Sequence, residues 1–245
     1  MTASSNMWKQ STTGEGPISP LQGIYEQSET AKAVLGTRLK VGDRVFHYAR
    51  AHSATFPVGA LGVPNSVSVE TDTSIATTVA AGVYEVTIAT AAAQTEVEEG
   101  YLAVIDGTGQ GYIYKIRESK ANATTSTYTD LILYDPISTA LTSGAASQVA
   151  IHPSPYNDIR TATATTDPVM GVAPIAITAH YYFWLQTWGP APLLSSAATV
   201  VGSIVVSTNA GAGVIQTAYT GPIVGTQYLV GAIGDYRTVW LRINP

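Results

Sequence analysis

The chain has 245 residues, of which 45% are apolar, so it can bury a sizeable core in one large or two small domains. Only 12% of the residues are charged, and the 12 basic residues are scattered through a chain of net charge −5, which excludes an electrostatic site for nucleic acid. The absence of cysteine excludes disulfides, thiolate metal sites and thiol nucleophiles.

The N-terminal segment, residues 1–35, is rich in Ser, Thr, Gly, Gln and Glu and has too few apolar residues for a core of its own. We predict an extended arm. Two readings are open, a frayed terminus or a strap whose Trp8 and Tyr25 dock onto a neighbouring subunit. The tryptophan favours the strap, because disordered tails rarely contain one. The segment lacks the basic lead and apolar core of a signal peptide, so we expect no secretion by that route.

Beyond the arm, Gly or Pro recurs about every ten residues among Val, Ile, Thr and Tyr, a spacing typical of short strands in sandwiches and barrels. We therefore predict an all-β fold of antiparallel sandwich or barrel domains. The predicted strands are Leu39–Tyr48, Val83–Ala89, Tyr101–Ile105, Gly111–Arg117, Asp130–Tyr134, Val149–His152, Ala173–Trp188, Thr199–Ser207, Gly213–Thr217 and Tyr236–Ile243. The glycines of IDGTGQG, between the third and fourth of these strands, predict a tight hairpin.

Two segments rich in Gly, Pro, Ser and Thr divide the chain beyond the arm. They are FPVGALGVPNSV (56–67) and PSPYNDIRTATATT (153–166), and the strands between them carry most of the acidic residues. We predict that a middle β domain, residues 67–153, is inserted between two parts of an outer β domain, residues 36–66 and 154–245. Insertions of this kind are tolerated at exposed loop tips.

No spacing of reactive residues indicates catalysis. The four histidines lack the spacing of metal ligands, and no serine lies in a GxSxG motif. The glycines of DGTGQG precede YIYKIRES, which has a strand pattern, whereas phosphate and dinucleotide loops precede a helix. We expect no catalytic residues, no metal and no cofactor, and an enzyme is the least favoured class.

The 67 residues between Asp167 and Asp235 contain no formal charge. A membrane-spanning helix needs about 20 predominantly apolar residues, and the glycines and prolines here interrupt every run of that length. We therefore expect no membrane span. We expect this region to lie largely inside its own fold and its oligomer.

An aromatic block, YYFWLQTW (181–188), lies within the uncharged region. In a strand, Tyr182, Trp184 and Trp188 would lie on one face and Tyr181 and Phe183 on the other. Both faces are then apolar, which predicts a strand covered on both sides, half by its own core and half by another element or chain. The alternative is a stacking platform for sugars, but the neighbouring sequence offers no charged hydrogen-bonding partners.

Five runs carry a resemblance to a known family. They are LGTRLKVGDRVFHYARA (35–51), GYLAVIDGTGQGYIYKIRE (100–118), LILYDPISTAL (131–141), VMGVAPIAITAHYYFWLQTWGPAPLL (169–194) and VGSIVVSTNAGAGV (201–214). They resemble virion structural proteins of tailed bacteriophages, in particular capsid decoration (cement) proteins. The resemblance implies a protein made in the host cytoplasm that binds the outside of the capsid, contacts the major capsid protein, self-associates as a homotrimer and stabilises contacts between capsomers.

Two functions from different classes follow from these observations. The first is capsid decoration, for which the expected interface residues are Trp8, Tyr25, Tyr181, Tyr182, Trp184 and Trp188. The alternative is a tail-fibre or surface module that binds a receptor or glycan, for which the aromatic block and the Ser/Thr-rich strands are the motivation. Fibres commonly show shaft repeats or heptads, and the sequence contains neither.

Overall fold

A computed structural model describes residues 22–64, 71–90, 97–125, 127–164, 166–198, 200–207, 215–216 and 221–245. Within these residues the regular structure is almost entirely β, with antiparallel sheets, which confirms the predicted fold class. The strands are β1 (Gln27–Ser28), β2 (Arg38–Val41), β3 (Arg44–Arg50), β4 (Leu61–Pro64), β5 (Thr71–Ile75), β6 (Glu85–Ile88), β7 (Tyr101–Gly107), β8 (Ile113–Ala121), β9 (Thr129–Leu133), β10 (Gly144–His152), β11 (Ile159–Thr161), β12 (Gly171–Val172), β13 (Tyr182–Leu194), β14 (Ile204–Ser207), β15 (Ile215–Gln216), β16 (Ile223–Gln227) and β17 (Tyr236–Arg242).

The chain divides into two compact units. One unit, here called the outer unit, combines residues 1–65 with residues 155–245, and the other, the barrel unit, comprises residues 66–154. The insertion expected from the sequence spanned residues 67–153, one residue shorter at each end. The described part of the expected arm, residues 22–35, belongs to the outer unit.

The barrel unit is a closed barrel in the order β10-β5-β6-β9-β8-β7. Alternate residues of its strands point inward, so that Val86 and Ile88 of β6 are buried while Glu85 is exposed. The predicted hairpin joins β7 to β8. Gly107 must be glycine because its φ is 78° and an added Cβ would lie 1.9 Å from the Ala146 carbonyl oxygen.

The outer unit is built around β13, which has thirteen residues and pairs with β3, β12 and β17 besides the short β1 at its start. The sheet runs β11-β4-β12-β13-β17-β16-β14-β15, β3 also pairs with β13, and β2 pairs with β3. Two buried apolar clusters centred on Phe183 and Trp184 lie against opposite faces of β13. This strand therefore positions the aromatic block that the sequence marked as a candidate site.

The two longest predicted strands are each interrupted by a turn. The segment 39–48 is a hairpin of β2 and β3, because Gly42 adopts φ 64° and reverses the chain. The segment 173–188 contains a turn in which His180 has φ 65°, and β13 begins only at residue 182.

β13 also continues past the predicted end at Trp188 to Leu194, although the extension contains Pro190 and Pro192. The two prolines lie two residues apart, so their missing N–H groups face the same side of the strand. The alternate residues can still complete the ladder with β17, where Pro190 lies opposite Trp240 and Pro192 opposite Thr238. Both prolines are therefore tolerated, because their nitrogens face the side of β13 that does not pair with β17.

Candidate functional site

Trp184, the centre of the aromatic block, is 1% exposed and is covered by its own chain. Its indole Nε1 donates a hydrogen bond of 2.9 Å to the main-chain oxygen of Gln22, and its ring meets the edge of Tyr48 at 4.9 Å between centroids. The Tyr48 hydroxyl donates to Gln22 Oε1 at 2.7 Å. The contact that we expected Trp184 to make with a neighbouring subunit is thus made within the outer unit, because residues 22–35 fold back over β13.

The opposite face of the block is also covered by the outer unit. Phe183 and Leu185 are buried, and Tyr181 packs half-buried against the same cluster, which includes Phe56 and Ile177. The prediction of a strand covered on both sides is confirmed for Phe183 and Trp184. Both covers come from the same chain, so these two side chains form core rather than a surface for a partner.

The other expected interface residues differ in exposure. Tyr25 is 59% exposed, and its hydroxyl accepts a hydrogen bond of 3.0 Å from Arg44 Nη1. Tyr182 is half-buried and stacks on Tyr48. Trp188 is half-buried after a register shift that follows Gln186 and interrupts the alternation of faces.

Trp8 lies outside the described residues. Of the five expected interface residues that the structure describes, Tyr25 is the most exposed.

Among the described residues of the outer unit, the largest group of exposed apolar side chains lies elsewhere, at one end of its sheet. β14 begins there, β16 ends there and β17 begins there. Eight side chains of this group are 44% to 72% exposed. We call the group the apolar end, and its members are Val200, Val201, Ile204, Tyr228, Leu229, Val230, Ile233 and Tyr236.

Main-chain hydrogen bonds bring the three segments of the apolar end together. Gly202 N donates to Gln227 O at 2.9 Å, and Gln227 N donates to Ser203 O at 2.9 Å, which fixes the turn before β14 beside the end of β16. Gly234 N donates to Ser195 O at 2.8 Å and joins the loop between β16 and β17 to the residue that follows β13. Gly202 and Gly234 lie in turns and have φ values of 84° and 83°. Glycine adopts this backbone conformation at no steric cost.

The apolar end is electrically neutral. Among the described residues of 200–207 and 221–238, Asp235 and Arg237 carry the formal charges, and Arg237 Nη2 lies 2.6 Å from Asp235 Oδ2. Arg237 Nε also donates to the Val230 main-chain oxygen at 2.8 Å. The two charges neutralise each other, and the Arg237 guanidinium is hydrogen-bonded within the loop. The exposed surface of the apolar end is therefore mainly apolar.

Two runs of the sequence indicate the apolar end. The runs VVGSI (200–204) and YLVGAI (228–233) each place a glycine inside an apolar stretch. A glycine at that place indicates a turn, and turns lie at the surface, so apolar side chains beside it are exposed. The sequence predicts that the uncharged region lies largely inside its own fold and its oligomer, and seven of the eight members of the apolar end belong to the part of this region that its own fold leaves exposed.

A separate buried site surrounds His47, which is 5% exposed and stacks on Tyr156 at 5.0 Å between centroids. Its Nδ1 lies 3.1 Å from Thr187 Oγ1, and the Thr187 hydroxyl donates to the Asn244 main-chain oxygen at 2.6 Å. Burial first, and then the charge of Arg38, lowers the pKa of His47 from 6.5 to about 4. His47 is therefore neutral at pH 7 and helps to hold the C-terminal residues.

His52 is half-exposed, and its Nδ1 lies within hydrogen-bonding distance of Asp158 Oδ2, at 2.8 Å. Within the part of the chain that the structure describes, no group of three or more His, Asp or Glu side chains is placed to hold a metal ion. Among the same residues, no helix has both the length and the apolar character to cross a membrane.

Comparisons with family models, with characterised proteins and with solved structures gave no match to this chain. Its function is therefore inferred from its own residues and their arrangement.

Proposed function

We propose that the chain is a virion structural protein, a capsid decoration (cement) protein that binds the outside of a phage head and stabilises contacts between capsomers. The observation that carries this proposal is the apolar end. Eight exposed apolar side chains surround one neutralised ion pair there, on loops fixed by main-chain hydrogen bonds. A neutral apolar surface of this kind is suited to permanent contact with other proteins.

The physical reason is the cost of burying charge. The cores of permanent protein interfaces are depleted in charged residues and enriched in aromatic and apolar ones, as the apolar end is. A lone charge buried between subunits costs several kcal/mol unless it finds a partner. The low charge content of the chain, 12%, avoids this cost over much of its surface.

The proposed partners are the major capsid protein and further copies of the chain. The resemblance described above implies a homotrimer on the capsid exterior, and the protein would be made in the host cytoplasm. No catalytic role, cofactor or nucleic-acid contact belongs to this proposal.

The alternative function, a receptor- or glycan-binding module of a fibre, depended on the aromatic block as a stacking platform. Trp184 and Phe183 are 1% and 0% exposed, so neither ring has a free face for a sugar. The double substitution Trp184→Ala and Trp188→Ala would now be expected to damage the core rather than a binding site. The arrangement of the block therefore favours capsid decoration over this alternative.

The proposal is tested by adding the purified protein to phage particles that lack it and sedimenting the mixture. We expect binding to saturate at a fixed ratio to the major capsid protein and to raise the temperature at which the particles release their DNA. Particles that already carry the protein are the control and should take up no more. Failure to co-sediment, or binding without saturation, would contradict the proposal.

A further inference from the structure

We infer that the apolar end of one copy binds the apolar end of a second copy of this chain about a symmetry axis. The inference rests on the proposed function for its setting, because it names which surface joins the sister subunits of the assembly. It makes no use of the aromatic block, whose Trp184 is buried within the outer unit. The evidence is the hydrogen bonding, the charge and the size of the apolar end.

The exposure of the apolar end is enforced by its own main chain. Two side chains fix the main chain of the loop between β16 and β17. The Gln227 amide Nε2 donates a hydrogen bond to the Leu229 main-chain oxygen, and Arg237 Nε donates one to the Val230 main-chain oxygen. Tyr228 N donates to Thr238 O at 3.0 Å. These hydrogen bonds fix the main chain of the loop, and the side chains of Leu229, Val230 and neighbouring Ile233 are 51%, 64% and 72% exposed.

The charges at the apolar end are self-complementary. Asp235 and Arg237 are two residues apart, and their side chains are 42% and 37% exposed. About a symmetry axis, the carboxylate of Asp235 in one copy can face the guanidinium of Arg237 in the next, and no net charge is buried. A strongly acidic or basic partner would find no matching charge at this surface.

The size of the apolar end suits a stable contact between subunits. Eight Val, Leu, Ile and Tyr side chains, each about half exposed or more, present several hundred square ångströms of apolar surface. A stable protein interface buries about 800 Å² on each partner, whereas the largest apolar patch on an ordinary monomer is about 300–600 Å². A second copy supplies an equal apolar area, so the pairing removes both patches from water.

The test is the molar mass of the purified full chain, measured by sedimentation equilibrium over a range of concentrations. We expect two or three copies for the wild-type protein. Ile233→Glu should weaken the association at least about tenfold, because it places an unpaired charge in the contact. Ile233 is 72% exposed, so the fold should tolerate the substitution. The matched control is Ile113→Glu, at a position 61% exposed in the barrel unit, which should associate like the wild type.

A second measurement uses the rim charges. Asp235→Lys and Arg237→Glu should each weaken self-association by repulsion, and an equimolar mixture of the two variants should associate more strongly than either alone. This mixing result separates a contact between copies from damage to one loop.

Three outcomes would overturn the inference. They are a wild-type protein that stays monomeric at every concentration, an oligomer whose mass is unchanged by Ile233→Glu, and flotation with phosphatidylcholine vesicles that Ile233→Glu abolishes. The last outcome would assign the apolar end to a lipid surface. Because these measurements use the protein in solution, they can fail while capsid binding succeeds, and capsid binding can fail while they succeed.

Discussion

His47 is buried, and its ring lies under the influence of the Arg38 cation, which is opposite it in the β2–β3 ladder. Its ring nitrogens face Thr187 and Asn244, and its ring stacks on Tyr156. Protonation would place a second positive charge beside Arg38 in a poorly hydrated site. The acid stability of the outer unit therefore depends on keeping His47 neutral.

We predict that His47 makes the folded state lose stability as pH falls from 6.5 towards 4. The unfolded chain takes up the proton near pKa 6.5, whereas the folded protein takes it up only near a pKa of about 4, so the contribution is complete above pH 6.5. The full loss amounts to about 3 kcal/mol. Urea unfolding at several pH values measures it, and His47→Gln should flatten the dependence. An equal slope in His47→Gln would contradict the assignment.

Two glycines of the β7–β8 hairpin provide a matched pair. Gly107 and Gly111 have φ values of 78° and 90°, but an added Cβ meets the Ala146 oxygen at 1.9 Å in the first case and open space in the second. Gly111→Ala should cost about 1–2 kcal/mol for the left-handed backbone alone. Gly107→Ala should cost more, because the backbone of β10 must move. Thermal unfolding of the two variants measures the difference, and equal costs would contradict it.

Among the elements, residues 22–35, here called the clasp, cover the face of β13 that carries Trp184. Gln22 is 3% exposed, and its Nε2 donates a hydrogen bond to the Tyr182 oxygen at 2.9 Å. Its main-chain oxygen accepts from the Trp184 indole, and its Oε1 accepts from the Tyr48 hydroxyl. The described part of the expected arm therefore covers buried residues of the outer unit, and a truncation that removes it would uncover Trp184.

Two truncations test the clasp. Deletion of residues 1–21 retains Gln22 and should leave the melting temperature nearly unchanged. Deletion of residues 1–34 should destabilise the outer unit by several kcal/mol, since it exposes a buried tryptophan and leaves its indole donor without the Gln22 oxygen. Circular dichroism during heating compares them. Equal melting temperatures for the two truncations would show that the clasp contributes no stability.

The sequence predicted elements well where the signal is local. Alternation of period two in β6 and the glycines of the β7–β8 hairpin are read within a few residues, so these features were expected correctly. The turn at His180 was missed because a histidine with positive φ is held by distant partners, such as the His52 oxygen that accepts its N–H. The clasp was missed for the same reason, since the hydrogen bonds of Gln22 with Tyr182 and Trp184 join residues 160 and 162 positions apart.

The candidate site was harder to foresee than the fold. Tyr and Trp in a strand are equally suited to a core and to an interface, and only the long-range packing of Gln22 and Phe56 around β13 decides for the core. The exposed residues of the apolar end are ordinary Val, Leu and Ile, which sequence patterns assign to the interior. Their exposure follows from the turns at Gly202 and Gly234, whose direction depends on the surrounding sheet.

At the scale of the whole molecule, charge is divided unequally between the two units. The barrel unit contains ten acidic and three basic residues and has a net charge of −7, whereas the outer unit contains seven acidic and nine basic residues and has a net charge of +2. The unit that carries the apolar end is thus close to neutral. Copies that meet through this unit are spared most of the charge repulsion that the acidic barrel unit would cause.

The two units should fold separately. The barrel unit has its own apolar cluster, which includes Val86, Leu102 and Ile116, and the chain enters and leaves the outer unit at β4 and β11, where Pro64 pairs with Ile159. Replacement of residues 66–154 by a short Gly-Ser linker should leave an outer unit that unfolds cooperatively in urea. Residues 66–154 alone should give dispersed amide NMR signals. A collapsed spectrum or a gradual transition would contradict this division.

The proposed capsid decoration is tested most directly by electron cryomicroscopy of purified particles of the phage proposed to encode the chain, together with quantification of their proteins. We expect the chain at a fixed ratio to the major capsid protein and density for its two β units on the outer surface of the head. Absence of the chain from the particles, or density confined to the tail or the capsid interior, would contradict it.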